Sequence, residues 1–275
     1  MAPLRIASRG FLLLLLGAYT VYAIGPFLWL GTMSLRTTLE INLDHYAFPS
    51  TFHWWKYGAV WIDSNYSGYF RNSLIVVTAS VLFLTIMAAM AAHCLARYRF
   101  PGNRVIFFLL FSSIMLPPQI TIIALFQVMV GYGLFSSLTG LVLVYIAAQL
   151  PLTVFILENF FARLPQDLFD AAKIDGYSEL EIFWRIALPI STPAVVTTVI
   201  MNYVLLWNEF LYALVLVTDD AKRTLPLGVQ KFMGDQFSDI GMVATGAMIS
   251  ILPIILLYAI FSEKIIQGMT AGAVK

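Results

Sequence analysis

The chain has 275 residues, of which 60% are hydrophobic and 11% charged, with a net charge of +1 and a mean hydropathy of +0.84. Soluble domains carry about 25% charged residues, so this composition excludes that class, and a charge so near zero offers no basis for nucleic-acid binding. An integral membrane protein remains.

A bilayer core of about 30 Å takes about 20 apolar residues per helix, and such stretches occupy 11–33, 72–95, 105–127, 138–161, 193–217 and 241–262. The predicted fold is therefore all-α, a single membrane domain over 1–275 with six spans and both termini on one side. The first stretch follows Arg5 and Arg9 as a signal peptide would. It exceeds the roughly 7–15 apolar residues of such a segment and lacks a cleavage site, so it reads as an uncleaved anchor. The connection from Arg36 to Arg71 is rich in aromatics, including Trp54, Trp55 and Trp61. That suits a loop lying along the membrane interface, or a surface for an extracytoplasmic partner. The second, fifth and sixth spans are the clearest. Pro117-Pro118 interrupts the third and Pro151 the fourth, and both helices are expected to bend or break there. The connection from Thr218 to Asp239 is polar, with a short helix expected around Leu227–Met233.

Ten of the sixteen lysines and arginines fall on the side that holds both termini, three of them in the short turn Arg97-Tyr-Arg-Phe-Pro-Gly-Asn-Arg104. Positive residues near span ends stay in the cytoplasm, which places that side inside the cell. The single cysteine, Cys94, rules out an intrachain disulfide, and His45, His53 and His93 lack metal-ligand spacing. His93 and Cys94 read as packing residues near a helix end.

The cytoplasmic connection at 162–192 has a more definite local code. Pro165 opens a short helix over Gln166–Ile174, with Leu168, Ala171 and Ala172 apolar among Asp167, Asp170 and Lys173. Gly176 ends it, since a glycine past the last turn takes the left-handed conformation. Ser178-Glu-Leu-Glu181 then forms a capping box for a second helix to about Ala187, stopped at Pro189. The face of Leu180, Phe183 and Trp184 calls for burial, against a partner or the chain's own spans.

This loop resembles the EAA loop of ABC-importer permease subunits, through Asp170, Ala171, Ala172, Asp175, Gly176, Phe183, Ile186, Leu188 and Pro189. Asp170 stands where the family usually has Glu, and Tyr177 where an Ala is common. Further likenesses lie in Asn72-Ser73, Ala96–Gly102, Leu150-Pro151, Phe160-Phe161, Trp207-Asn208-Glu209-Phe210 and the tail from Gly268. Together they point to the carbohydrate-type subgroup, the second permease of sugar importers. The resemblance implies a bacterial inner-membrane protein whose coupling helices seat in a cleft of a cytosolic ATPase dimer. The implied partners are a homologous second permease and an extracytoplasmic solute-binding protein, besides membrane lipid. It also implies that this subunit is no enzyme and holds no cofactor, with ATP and Mg bound by the ATPases. The chain lacks a Gly-rich loop ending in Gly-Lys-Ser/Thr, in keeping with that division. The tail at 263–275 resembles a segment reaching between the two ATPases, as an extended peptide.

Asn202, Trp207, Asn208 and Glu209 either face the translocation pathway or bind helices together. Gln119 beside Pro117-Pro118 and Gln149 before Pro151 are further pathway candidates, because broken helices expose backbone that can line a cavity. A secondary transporter is the alternative class, needing ionisable groups at membrane depth, of which Glu209 is the clear candidate. Within the ABC class, a polyol or glycerophosphate is the alternative substrate.

Overall fold

The computed structural model describes the backbone of residues 2–233 and 239–271, and side chains over 10–233 and 239–262. The helices in chain order are α1 (Ala2–Ser34), α2 (Thr38–Leu43), α3 (Trp55–Gly58), α4 (Tyr66–Arg97), α5 (Asn103–Ser113), α6 (Pro118–Gly131) and α7 (Leu138–Phe161). They continue as α8 (Gln166–Ile174), α9 (Glu179–Ile182), α10 (Leu188–Ile190), α11 (Thr192–Trp207), α12 (Leu211–Leu216), α13 (Leu225–Val229) and α14 (Ile240–Ala271). Among the described residues no strand occurs. Among the described residues, four helices are by themselves long and apolar enough to span: Gly10–Ser34 of α1, α4, α7, and Ile240–Ser262 of α14. By length and composition the number rises to six if each of two bent pairs is one span: α5 with α6, at 105°, and Glu179–Ile190 with α11, at 78°.

The third span breaks at Pro117-Pro118, as a residue held extended before proline requires. Of the bend or break expected at Pro151 no break occurs, and one expectation about polarity needs correction. α7 runs unbroken through Pro151, with Thr153 Oγ1 donating to the carbonyl of Gln149 at 2.8 Å. A spanning helix can absorb a proline where packed neighbours cover the backbone group it frees. The fifth span, read as one of the clearest, instead stops at Trp207 and restarts at Leu211. Hydropathy registers apolar content, and Asn208 and Glu209 are too few to lower it. The short helix of the polar connection is α13, followed by a 3₁₀ turn at Gln230–Phe232. α14 keeps helical backbone to Ala271, so Gly268 and Ala271 belong to a helix rather than the expected extended tail, and residues 272–275 lie outside the described residues.

Packing divides the chain into two units, residues 1–67 with 228–252, and residues 68–227 with 253–275. In the first, Lys56 is buried and its Nζ donates to the carbonyls of Ser34 (3.0 Å), Arg36 (2.7 Å) and Gly241 (2.6 Å). Three acceptors match the three donors of an ammonium, although burial pulls Lys56 down to about 8 against the opposing carboxylates of Asp239 and Glu40. Gly241 permits the approach, since a Cβ there would meet the Arg36 carbonyl at 2.7 Å. Thr37 and Glu40 form a capping box that starts α2. The aromatic connection is mostly open, with Tyr46, Phe48, Phe52, Trp54 and Trp55 exposed, while Tyr66 is buried.

In the second unit the core is built by α4 (Leu84, Ala88, Ala92), α7 (Val154, Leu157, Phe161) and α11 (Ala194), closed by Phe169, Ala172, Ile182, Phe183 and Ala187 of the 162–192 connection. Asn72 Nδ2 donates to the carbonyls of Ala221 (2.8 Å) and Arg223 (3.0 Å), and Ser73 Oγ accepts from Leu225 N–H (2.7 Å). The Asn-Ser pair thus pins the start of α4 to the connection ahead of α13.

Candidate functional site: the two-helix connection and the break after Trp207

α8 begins and ends on the residues its local code names. Tyr177 N–H bonds the Ala172 carbonyl (3.0 Å) and Gly176 N–H bonds the Lys173 carbonyl (3.1 Å), a Schellman closure with Gly176 at φ +83°. Ser178 and Glu181 make the expected capping box for α9. α9 widens into a π-helical stretch, Phe183–Ala187, before α10 carries Pro189. An α-helical proline clashes with the carbonyl four residues back, and the wider turn relieves that.

On α8, Phe169 and Ala172 point into the core, one turn apart, while Leu168, Asp170, Ala171, Ile174 and Asp175 stay exposed. On the second helix Ile182, Phe183 and Ala187 are buried. Leu188 and Ile186 are half-buried, and Leu180, Trp184 and Pro189 remain exposed. The apolar face expected to need cover is therefore split: Phe183 is covered by the chain itself, and Leu180 and Trp184 are not. Asp170 accepts from Gln166 Nε2 (3.0 Å). The inter-helix turn is held by the backbone closure and by Lys173–Glu179 at 2.8 Å, and among the described residues Asp175 makes no side-chain bond in it.

The end of α4 meets this connection through side chains. Arg97 Nη2 donates to the Leu164 carbonyl (2.6 Å), Nη1 to Gln166 Oε1 (3.3 Å), and the guanidinium lies 4.1 Å over the Phe169 ring. Tyr98 Oη donates to Glu179 Oε2. Burial first, and then that carboxylate, push the Tyr98 hydroxyl well above its ordinary value, so it stays a donor. His93 is buried among Tyr98, Phe161, Phe169 and Phe183, as a packing residue. Cys94 is exposed.

The polar residues near Trp207 turn mostly inward. Glu209 accepts from Tyr145 Oη (2.7 Å), Tyr212 N–H (2.7 Å) and Ala213 N–H (3.2 Å), capping α12 and tying it to α7. Asn202 is buried and donates to Thr153 Oγ1 at 2.9 Å. Trp207 is buried, stacked on Tyr203 and edge-on to Phe70. Asn208 is exposed and bonds back to the Val204 carbonyl at 2.8 Å. Gln149, with Pro118, Thr121 and Tyr212, lines a cavity of about 330 Å³ at the α5–α6 break. Gln119 is exposed and absent from that lining.

Residues 82–267 match the model of the binding-protein-dependent transport system inner membrane component family. The chain belongs to this family. The permease is 33% identical to the diacetylchitobiose uptake system permease protein NgcG of Streptomyces coelicolor, over 98% of this chain and 89% of that one. It is 34% identical to the trehalose transport system permease protein SugB of Mycobacterium tuberculosis, over 92% and 93%. Its fold is that of a chain of a bacterial ABC transporter involved in the import of the acidic polysaccharide alginate, with a TM-score of 0.82, 22% identity, and coverage of 94% and 96%.

Several residues that organise the permease were assigned no contact by the sequence. Arg97, Tyr98, Phe169 and Tyr145 were missed as partners because each acts across a long separation in sequence. Arg97 and Tyr98 sat in the Ala96–Gly102 motif without a partner, and Phe169 had a local signal in its one-turn spacing to Ala172.

Proposed function

We propose that this permease forms, with a homologous second permease, the pathway for a sugar, oligosaccharide or glycoside that an extracytoplasmic solute-binding protein delivers. Two partner ATPases bind ATP and Mg and drive alternating access, and this subunit holds no cofactor and does no bond chemistry. Both termini and the 162–192 connection lie in the cytoplasm. Asp170, Ala171, Ala172, Asp175, Gly176, Phe183, Leu188 and Pro189 belong to the ATPase-coupling element. The observation that carries the reading is the family match joined to a compact two-helix connection whose outer face leaves Leu180, Trp184 and Leu168 exposed. Such a rigid, partly apolar surface fits a groove on another protein.

The sugar class is supported by the names of the relatives, which are systems for diacetylchitobiose and trehalose. Gln149, Thr121 and Tyr212 supply hydrogen-bonding and aromatic groups at the cavity near the helix break, and are the better pathway candidates; Gln119 and Asn208 are exposed, and Asn202, Trp207 and Glu209 hold helices together. Glu209 is satisfied by three donors, which disfavours it as an ion-coupling carboxylate.

The test is uptake into proteoliposomes holding the assembled complex and its binding protein, with a panel of diacetylchitobiose, trehalose and maltose. ATP-dependent uptake of a panel member is expected. Uptake driven by an ion gradient without ATP overturns the reading.

A further inference from the structure

The 162–192 connection is joined through the backbone to α7 on one side and α11 on the other. α4 has no such join, yet its last residues reach both connection helices. Arg97 holds the start of the first helix: its guanidinium bonds the Leu164 carbonyl and Gln166 Oε1 and lies on the Phe169 ring. Tyr98 holds the second helix through Glu179. Glu179 also pairs with Lys173 of the first helix at 2.8 Å, so one carboxylate joins α4, α8 and α9. Beneath these contacts His93 is packed against Phe169 from the first helix and Phe183 from the second.

Charge-assisted bonds are short and directional, and a guanidinium that is both hydrogen-bonded and stacked has little freedom to re-aim. Aromatic packing under them resists sliding, because close-packed surfaces transmit displacement rather than absorbing it. Directly after the latch the chain turns at Gly102, with φ +90°, and enters α5 and the broken third span. Any displacement of the connection is thus handed to α4, and through the turn to the helix pair whose break borders the Gln149 cavity.

We infer that Arg97 and Tyr98 are positioning residues that latch the end of α4 to both connection helices, so that α4 moves with them as one body during transport. The inference rests on the transport reading above. It adds a third mechanical output, α4, to the two that the backbone already connects.

The experiment uses the assembled complex, with Cys94→Ser and spin labels at Met87→Cys on α4 and Ile174→Cys on α8, both exposed positions. With the latch intact, the label pair gives one narrow distance, unchanged between the nucleotide-free and ATP-plus-vanadate states. Tyr98→Phe removes one hydroxyl and keeps the ring, and Arg97→Met keeps the stem. Each is expected to broaden the distance and make it shift when nucleotide binds. Uptake per ATP hydrolysed should fall about tenfold, the scale of one hydrogen bond to a charged group, with subunit stoichiometry unchanged. Arg97→Lys retains a donor for the Leu164 carbonyl and should recover part of the ratio. A narrow, state-independent distance in both variants, or wild-type uptake per ATP in both, overturns the latch. A wild-type complex with no ATP-driven uptake overturns the transport reading instead, and the width of the nucleotide-free distance still decides the latch.

Discussion

Gly176 has a φ of +83° and nothing within 4 Å of where its Cβ would sit. Its constraint is therefore conformational and free of any steric contact. A left-handed backbone costs an L residue about 1–2 kcal/mol, and most for a β-branched one. Gly176→Asn should be nearly neutral, Gly176→Ala intermediate, and Gly176→Val should lower coupled ATPase and uptake about tenfold or more while span insertion persists. Equal activities across the three would remove the closure from the coupling mechanism. Glu209 poses a different problem, since its carboxylate serves a hydroxyl and two N–H groups at once. Glu209→Ala strands those donors, at about 1–3 kcal/mol each where they are buried. Glu209→Gln keeps an acceptor. Thermal unfolding in detergent should rank wild type above Gln above Ala, and an unshifted melting temperature in Glu209→Ala would show that the break does not need its cap.

At the scale of elements, the two connection helices are too short to persist alone, because helices under about 12 residues are marginal in water. Their caps start and stop them, and the burial of Phe169, Ala172, Ile182 and Phe183 makes them stable. α2 is likewise short, six residues, and depends on its capping box and on Arg36 bonding the Glu40 and Asp44 carbonyls, both at 2.5 Å. The Thr37 N–H chiefly, with the Thr37 hydroxyl and His53, outweighs the effect of burial and holds Glu40 at about 2, below 4.5. A depressed carboxylate contributes its stabilisation fully above the unfolded value and loses it as pH falls through the folded one. α2 should therefore stay protected above pH 4.5 and loosen as pH approaches about 2. Amide exchange over residues 38–44, corrected for intrinsic rates, would show this, and Glu40→Gln should abolish the pH dependence.

For the whole molecule, large apolar surface is left uncovered in two different settings. Within Gly10–Ser34 of α1 the described side chains are exposed along most of the helix, with Met33 and Ser34 buried at its end, as expected of a helix facing lipid or a second membrane subunit. Leu180 and Trp184 are exposed on the connection, outside any lipid-facing stretch in the proposed topology. Single substitutions Leu180→Asp and Trp184→Asp should cut co-purification of the ATPase about tenfold or more, as for interface anchors, with the fold of the spans unchanged by circular dichroism. Full retention of the ATPase in both would assign that face to something else.

The class, the all-α fold, the break of the third span, both ends of α8 and the start of α9 were legible from the sequence, because each depends on neighbours within a few residues, whereas the second connection helix passes Pro189, where it was expected to stop, and runs to Ile190. Proline restricts its own turn, glycine permits a left-handed one, and a capping box spans four residues. The use made of each polar side chain was not legible in this way. Glu209 could equally have faced a pathway until Tyr145 of α7, 64 residues away, met it at the break between α11 and α12. Tyr98 lay in a motif with no assigned contact, and its partner Glu179 is 81 residues distant. The Asn208–Phe210 break went the opposite way from local expectation, since a carboxylate that found its donors ended the helix there, while packing against neighbouring helices kept α7 continuous at Pro151. Local rules therefore set where helices can start and stop, whereas only the tertiary arrangement decides which polar groups meet, since desolvation compels each buried donor or acceptor to find whatever partner the fold brings within about 3 Å.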